Sequence, residues 1–152
     1  MLNHFTKRPL NIAINGFGRI GRNVLRAYLE RCCQNPLALP PFNIVAINDI
    51  ADPVTLLHLL KYDTTHGRLT HQCPIEVSLT TDSHADNVQY FLRIYHASFE
   101  FKIQLLQQPK PTKLPWDALG IDVVLESTGH LRSYEQASQH ISAGAAQVLI
   151  GA

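Results

Sequence analysis

The chain has 152 residues, with 13 Lys and Arg against 12 Asp and Glu and a formal net charge of +1 at pH 7. This length suffices for one domain with a buried core, and the near-neutral charge does not favour nucleic acid as a partner. No apolar run approaches the roughly 20 residues that span a bilayer, so no membrane partner is expected.

The cysteines and histidines do not form a metal-binding pattern. Cys32, Cys33 and Cys73 are odd in number and show no Cys-x-x-Cys spacing, and the eight histidines show no His-x-x-x-His pair. We therefore expect no disulfide framework and no metal site, with the histidines on the surface or in loops. Because residues 1–9 contain no apolar stretch of the secretory type, a reducing cytoplasm is the expected location.

The first predicted strand runs into a glycine-rich turn. Leu10–Asn15 is apolar and is followed by Gly16, Gly18 and Gly21 in the spacing Gly-x-Gly-x-x-Gly, with a helical pattern over residues 19–32. Gly16 permits the sharp turn, Gly18 lets a backbone approach phosphates, and Gly21 allows close packing of helix against strand. The helix start offers free amides and the positive end of its dipole to an anion. This layout predicts a dinucleotide site.

The second predicted strand, residues 43–48, ends next to Asp49. An acidic residue at this place binds the hydroxyls of the adenosine ribose and repels a 2′-phosphate, so we expect NAD rather than NADP. The alternative is that Asp49 is an ordinary turn residue. The Pro-rich stretch over residues 34–41 explains why Asp49 lies farther along the chain than is usual.

The middle of the chain departs from the strand–helix alternation. Asp52 and Pro53 predict the start of a helix, with the buried face formed by Leu56, Leu57, Leu59 and Leu60. A polar loop is expected over 62–68. Three β segments over 75–80, 88–96 and 98–106, separated by turns that include 81–87, predict a small antiparallel insertion or an extension of the main sheet.

The alternation then resumes. A short helical turn over 115–120 leads to a buried strand over 121–126 and a tight loop over 127–129. The pair Ser133 and Gln136 predicts a capping box for a helix closed by Gly144, followed by the strand Gln147–Ile150. These elements together predict an α/β fold of the Rossmann type, a doubly wound and mainly parallel sheet with a small antiparallel insertion.

In an open parallel sheet, ligands bind beyond the carboxyl ends of the strands. Three loops, 15–18, 48–50 and 127–129, follow such ends, and we expect them to converge. Ser127 and Thr128 offer hydroxyls there, although the loop would also serve as an ordinary turn before a helix. Arg19 either faces the pyrophosphate or is a solvated residue at the helix start.

Four segments in the right order resemble the glyceraldehyde-3-phosphate dehydrogenase family: residues 14–22, 47–49, 59–68 and 126–129. The resemblance implies an NAD-binding domain whose cofactor is lined by Asn15, Gly16, Phe17, Gly18, Arg19 and Ile20, with Gly21 completing the motif. It also implies that Asp49 holds the adenosine ribose and that Ser127, Thr128 and Gly129 lie along the cofactor. Family members oxidise an aldehyde phosphate through a cysteine thioester, are usually homotetramers and act in glycolysis.

The chain departs from this family in lacking the Ser-Cys-Thr-Thr-Asn stretch that carries the nucleophile. No catalytic residue is therefore assigned, and we expect residues 1–152 to be a single NAD-binding domain without a catalytic domain, inactive alone. Two alternatives stay open. One is the NAD domain of the related erythrose-4-phosphate dehydrogenase, and the other is a free-standing NAD-binding module without catalysis.

Overall fold

The glycine-rich turn connects the first strand and helix as the sequence predicts. The structure, a computed structural model, describes residues 8–63, 67–69, 73–84 and 86–151. Its elements in chain order are β1 (Leu10–Asn15), α1 (Arg19–Gln34), β2 (Phe42–Asn48), α2 (Pro53–Lys61), β3 (Tyr62–Asp63), β4 (Gly67–Arg68), β5 (Glu76–His84), β6 (Asn87–Tyr95), β7 (Glu100–Leu106), a 3-10 turn (Pro111–Lys113), β8 (Val123–Glu126), α3 (Tyr134–Ala137), α4 (Gln139–Ser142) and β9 (Gln147–Ile150).

The main sheet has seven strands in the order β5-β6-β7-β2-β1-β8-β9. β1 pairs in parallel with β2 on one side and with β8 on the other, so the direction of winding reverses at β1. β2–β7 and β8–β9 are also parallel pairs. Because ligands bind where the winding reverses, the carboxyl end of β1 is the expected place for a site. The predicted doubly wound fold is confirmed.

The antiparallel part is an extension of the main sheet rather than a separate unit. β5 pairs antiparallel with β6, and β6 with β7, which then joins β2 in parallel. The prediction of a turn over 81–87 is wrong for most of its length, since Asp82 pairs with Gln89 and Ser83 with Val88. Cross-strand pairing overrides the poor strand propensity of these polar residues.

Residues of the predicted polar loop over 62–68 form the short antiparallel pair β3–β4, and residues 64–66 lie outside the described residues. The buried Arg26 of α1 donates from Nη2 to the carbonyl oxygens of Leu60 (2.7 Å) and Gly67 (3.0 Å). This segment is therefore tied to α1 as well as to α2.

Neighbouring residues of β1 enter two different cores, because side chains alternate across a sheet. Ile14 belongs to a large apolar cluster with α1, α2 and the antiparallel strands. Ala13 belongs to a smaller cluster on the opposite face, which contains Trp116 and Val124. We call these the large-cluster face and the small-cluster face. Layers on both faces are what a doubly wound sheet requires.

Local signals placed most helix starts correctly. Asp52 caps α2 by accepting a hydrogen bond from the amide of Thr55 (3.0 Å), and Pro53 is its first residue. Ser133 and Gln136 form the predicted capping box. The helix that they open is interrupted at Ser138, whose hydroxyl donates to the carbonyl of Glu135. Such a bond from a side chain to the backbone competes with the helical pattern.

The buried stripe of α1 contains Leu25, Leu29 and Cys32, whereas Ile20 and Val24 are exposed. The predicted buried face of α2 needs correction. On α2, Leu56 and Leu60 are buried, whereas Leu57 and Leu59 are only partly so. Only Leu56 and Leu60, four positions apart, face the core fully, so the buried stripe of α2 is narrower than the predicted face.

Cys33 and Cys73 form a disulfide with their Cα atoms 5.9 Å apart. The expectation that the cysteines form no disulfide is therefore wrong. The two residues are 40 positions apart in the chain, so spacing alone does not reveal the pair. The bond joins the end of α1 to the segment before β5, on the large-cluster face.

Among the described residues, no helix combines the length and the apolar character needed to cross a membrane.

Candidate functional site

A cleft of about 510 Å³ opens at the carboxyl ends of β1, β2 and β8. Its lining residues come from each of the three predicted loops and from the segment after β7: Asn15, Gly18, Asn48, Asp49, Ile50, Gln108, Pro109, Pro111, Thr128, His130 and Leu131. The structure therefore brings together loops that are more than a hundred residues apart in sequence. This volume lies within the usual range for sites that hold small molecules and cofactors.

Each glycine of the motif has its own steric reason. Gly16 has φ +93°, and a Cβ there would lie 2.7 Å from the amide nitrogen of Thr128. At Gly21 a Cβ would lie 2.3 Å from the carbonyl oxygen of Gly16, so α1 packs directly on the turn. At Gly18, by contrast, a Cβ would meet nothing within 4 Å. The space above Gly18 is thus open to a ligand, which fits the close approach of a pyrophosphate.

The start of α1 borders this open space. The first hydrogen bond within the helix runs from the amide of Arg22 to the carbonyl of Gly18 (2.9 Å). The amides of residues 19–21 come before this bond, at the end of the helix that offers N–H groups to a ligand. Arg19 is exposed at this end of the helix. Phe17 is only 1% exposed, so its ring lies in the core and only its backbone borders the turn. A helix start of this kind suits a phosphate group.

Asp49 connects two of the loops. Its Oδ2 accepts a hydrogen bond from the amide of Phe17 (2.7 Å), and its Oδ1 accepts one from the amide of Ala51 (2.9 Å). The carboxylate is still partly exposed and lines the cleft. Because each carboxylate oxygen has a second lone pair, Asp49 retains acceptor capacity for the hydroxyls of a ligand.

The loop after β8 divides its polar groups between the core and the cleft. Ser127 is buried, and its hydroxyl donates to the carbonyl of Gly16 (2.7 Å), so it braces the glycine turn. Thr128 lines the cleft. Gly129 has φ +77°, a backbone conformation that glycine adopts most easily.

A buried polar network lies beneath the cleft. Glu126, only 1% exposed, accepts hydrogen bonds from the side-chain amide of Asn15 (2.7 Å) and from Nε2 of His140 (2.6 Å). It also accepts from the amide (2.9 Å) and the hydroxyl (2.5 Å) of Thr128. Trp116 donates from Nε1 to Nδ1 of His140 (3.0 Å). Burial alone would raise the pKa of Glu126, but the bonds from His140, Asn15 and Thr128 outweigh it, so the pKa is lowered.

The same network continues across β1 into β2 and the segment after β7. Asn48 donates from its side-chain amide to Oδ1 of Asn15 (2.8 Å) and to the carbonyl of Gln108 (2.9 Å). Its own Oδ1 accepts from the amide of Gln108 (2.8 Å). Polar side chains on adjacent strand ends are therefore all held by hydrogen bonds.

Of the predicted site residues, some line the cleft and the rest form the turns around it. Asn15, Gly18, Asp49 and Thr128 line the cleft. The others lie outside the lining: Gly16, Phe17, Arg19, Ile20, Gly21, Ser127 and Gly129.

Sequence reasoning missed Glu126, His140 and Gln108 as parts of the site. The expectation of a surface or loop position is wrong for His140, which is fully buried. A usable signal was the single carboxylate at the end of an otherwise apolar strand, since a buried charge of this kind requires partners.

The fold and the cleft define the class of this protein: a dinucleotide-binding domain with its site at the switch point of a mainly parallel sheet. Comparison with known proteins gives the particular family. The model of the family "Glyceraldehyde 3-phosphate dehydrogenase, NAD binding domain" matches residues 10–134. The chain therefore belongs to the glyceraldehyde-3-phosphate dehydrogenase family and corresponds to its NAD-binding domain, with NAD as the cofactor.

Curated relatives agree. The plasmid-encoded glyceraldehyde-3-phosphate dehydrogenase of Cupriavidus necator is 43% identical over 143 residues, which cover 94% of this chain and 36% of that protein. The glyceraldehyde-3-phosphate dehydrogenase of Thermotoga maritima is 43% identical over 141 residues, 93% of this chain and 36% of its own length. That of Kitasatospora aureofaciens is 42% identical over 142 residues, with the same two coverages. The chain thus spans about a third of the length of these relatives.

Proposed function

We propose that this chain supplies the NAD site of an NAD-dependent dehydrogenase acting on an aldehyde phosphate, with glyceraldehyde 3-phosphate as the substrate. The observation that carries the proposal is the cleft at the carboxyl end of β1, with open space above Gly18 and the accessible carboxylate of Asp49 on its rim. The relatives are glyceraldehyde-3-phosphate dehydrogenases, which favours this substrate over erythrose 4-phosphate.

The chain's own residues divide the work of binding. We assign the pyrophosphate to the turn over 15–18 and to the amides at the start of α1, with Arg19 adding positive charge. We assign the adenosine ribose to Asp49. Thr128 and Gly129 border the remainder of the cofactor, and Ser127 braces the turn from behind. NAD supplies a hydride acceptor; the described residues bind and orient it.

The other parts of the proposal concern the whole protein. A cysteine nucleophile and a general base outside this chain would act on the aldehyde through a thioester, in a homotetramer. Alone, this chain should bind NAD and turn over nothing in an assay with glyceraldehyde 3-phosphate, NAD and phosphate. We also propose a cytoplasmic location and a role in glycolysis, although the Cys33–Cys73 disulfide does not favour a reducing compartment.

Calorimetry with NAD and NADP tests the assignment of Asp49. NADP should bind at least about fivefold more weakly, since a like-charge contact at close range costs on the order of 1–4 kcal/mol. The variant D49N should lose NAD affinity and reduce this discrimination. Equal binding of the two cofactors by the unaltered chain would refute the role of Asp49.

The matched control is D52N, which removes the same charge three residues farther along the chain, at a carboxylate to which no contact with the ribose is assigned. Asp52 does not line the cleft, and asparagine can replace it as the cap of α2. Its ratio of NAD to NADP affinity should equal that of the unaltered chain.

A further inference from the structure

The carboxylate of Glu126 is saturated by donors in the interior of the protein. Four hydrogen bonds reach it: one each from Asn15 and His140 and two from Thr128. A carboxylate offers about four lone-pair sites, so none is left for solvent or ligand. Glu126 therefore cannot touch a cofactor, and any part it has in binding must act through its partners.

His140 is fixed in one tautomer by this arrangement. The indole N–H of Trp116 can only donate, so Nδ1 of His140 must be an acceptor. The proton therefore resides on Nε2, which donates to Glu126. Trp116 and His140 are both fully buried, and the imidazole ring is thus held at both nitrogens.

The inner wall of the cleft is formed by residues that are linked to Glu126 directly or through Asn15. Thr128 is bonded to it directly, and Asn15 directly and onward to Asn48 and Gln108. All four of these residues line the cleft. They belong to the ends of β1 and β2 and to the segments after β7 and β8, so one carboxylate connects every loop that forms the wall.

We propose that Glu126 and His140, oriented by Trp116, are positioning residues that fix Asn15 and Thr128 in the geometry that binds the dinucleotide. The proposal rests on the proposed NAD site. Its physical reason is that a buried polar network around a carboxylate adds little net stability over a well-packed apolar core. What an apolar core cannot do is orient polar groups at several strand ends.

The main test is the affinity of the full chain for NAD, measured by calorimetry on E126Q. Glutamine has the same shape, but its amide NH2 must face at least one of the donors that now converge on the carboxylate. We expect the Kd for NAD to rise at least about tenfold, the size that follows from losing one charge-assisted hydrogen bond. W116F keeps an aromatic ring but frees Nδ1 of His140, and should raise the Kd about two- to tenfold.

A variant destabilised elsewhere separates positioning from loss of stability. Leu92 is fully buried in the antiparallel part of the sheet and belongs to the large apolar cluster. L92A should lower the thermal midpoint at least as much as E126Q while leaving the Kd for NAD unchanged. If E126Q does not fold, W116F and L92A carry the same comparison.

Nuclear magnetic resonance gives a second signature that needs no cofactor. The imidazole of His140 should show a single proton on Nε2. In W116F that proton should stay, since the Glu126 carboxylate still accepts it, but Nδ1 should become free to take up a second proton. In E126Q the amide of Thr128 should exchange faster, because a neutral carboxamide is a weaker acceptor than the carboxylate. The inference is overturned if these signatures change while both variants bind NAD as the unaltered chain does. If the unaltered chain binds no NAD, the proposed function fails and this inference fails with it.

Discussion

The two faces of the sheet are built on different chemistry. The large-cluster face buries leucine, isoleucine and aromatic side chains from α1, α2 and the antiparallel strands. The small-cluster face is also apolar, with four alanines packed beside Leu114, Trp116, Ile121 and Val124, but the hydrogen-bonded pair of Glu126 and His140 is buried on the same face. Apolar contacts are non-directional and serve stability, whereas hydrogen bonds fix orientation. We therefore expect perturbations of the first face to change stability alone, and perturbations of the second to reach the cleft.

The largest expected effect is reduction of the Cys33–Cys73 disulfide on the large-cluster face. Opening a cross-link between residues 40 apart should lower the free energy of unfolding by about 4 kcal/mol by the chain-entropy relation. Urea denaturation with and without dithiothreitol measures this, and C33A should be insensitive to the reductant. The Kd for NAD of the folded chain should stay the same. A midpoint indifferent to the reductant in the unaltered chain would contradict the prediction.

An intermediate effect concerns the small-cluster face and acidic pH. The pKa of Glu126 is lowered in the folded state, so its contribution to stability is fully present above its ordinary value of 4.5. It is lost as the pH falls from there toward the folded pKa. In that window the free energy of unfolding of E126Q should vary less steeply with pH than that of the unaltered chain. The difference between the two slopes should correspond to at most about one proton per molecule. Parallel curves for E126Q and the unaltered chain, from denaturation at a series of pH values, would show that Glu126 is not stabilised as a carboxylate.

The smallest effect is expected at the start of α3. S133A removes the hydroxyl that accepts from the amide of Gln136 (3.1 Å) and should cost about 1 kcal/mol in the free energy of unfolding. The cap is exposed and outside the polar network, so the Kd for NAD should not change. S142A is the matched control, with an expected change within about 0.5 kcal/mol. A loss of affinity in S133A would mean that this helix also positions the cleft.

The parts of the fold that the sequence predicted well are those set by near neighbours. The bounds of β1, the cap of α2 and the capping box at Ser133 depend on residues within one turn, and all three are confirmed. The end of β5 was missed because it depends on pairing with β6. The break at Ser138 was missed because the helical period gives no sign of it.

The residues of the site show the same division between features set by near neighbours and features set by residues distant in sequence. The glycine turn and Asp49 could be read from a local motif, and the structure places both at the cleft. The role of His140 could not, since its partners Trp116 and Glu126 are 24 and 14 positions away. Nothing in the residues around His140 distinguishes a buried, hydrogen-bonded imidazole from one on the surface. The disulfide escaped prediction for the same reason, its two cysteines being 40 positions apart.

The two backbone hydrogen bonds of Asp49 have a consequence for the kinetics of binding. With Phe17 and Ala51 both donating to this carboxylate, the turns after β1 and β2 are joined before any ligand arrives. An arriving dinucleotide then has little loop entropy to remove, and its encounter with the cleft need not wait for a slow rearrangement of the protein. Association should accordingly follow a single phase whose rate grows in proportion to ligand concentration, and differences in affinity among variants should lie mainly in the rate of dissociation.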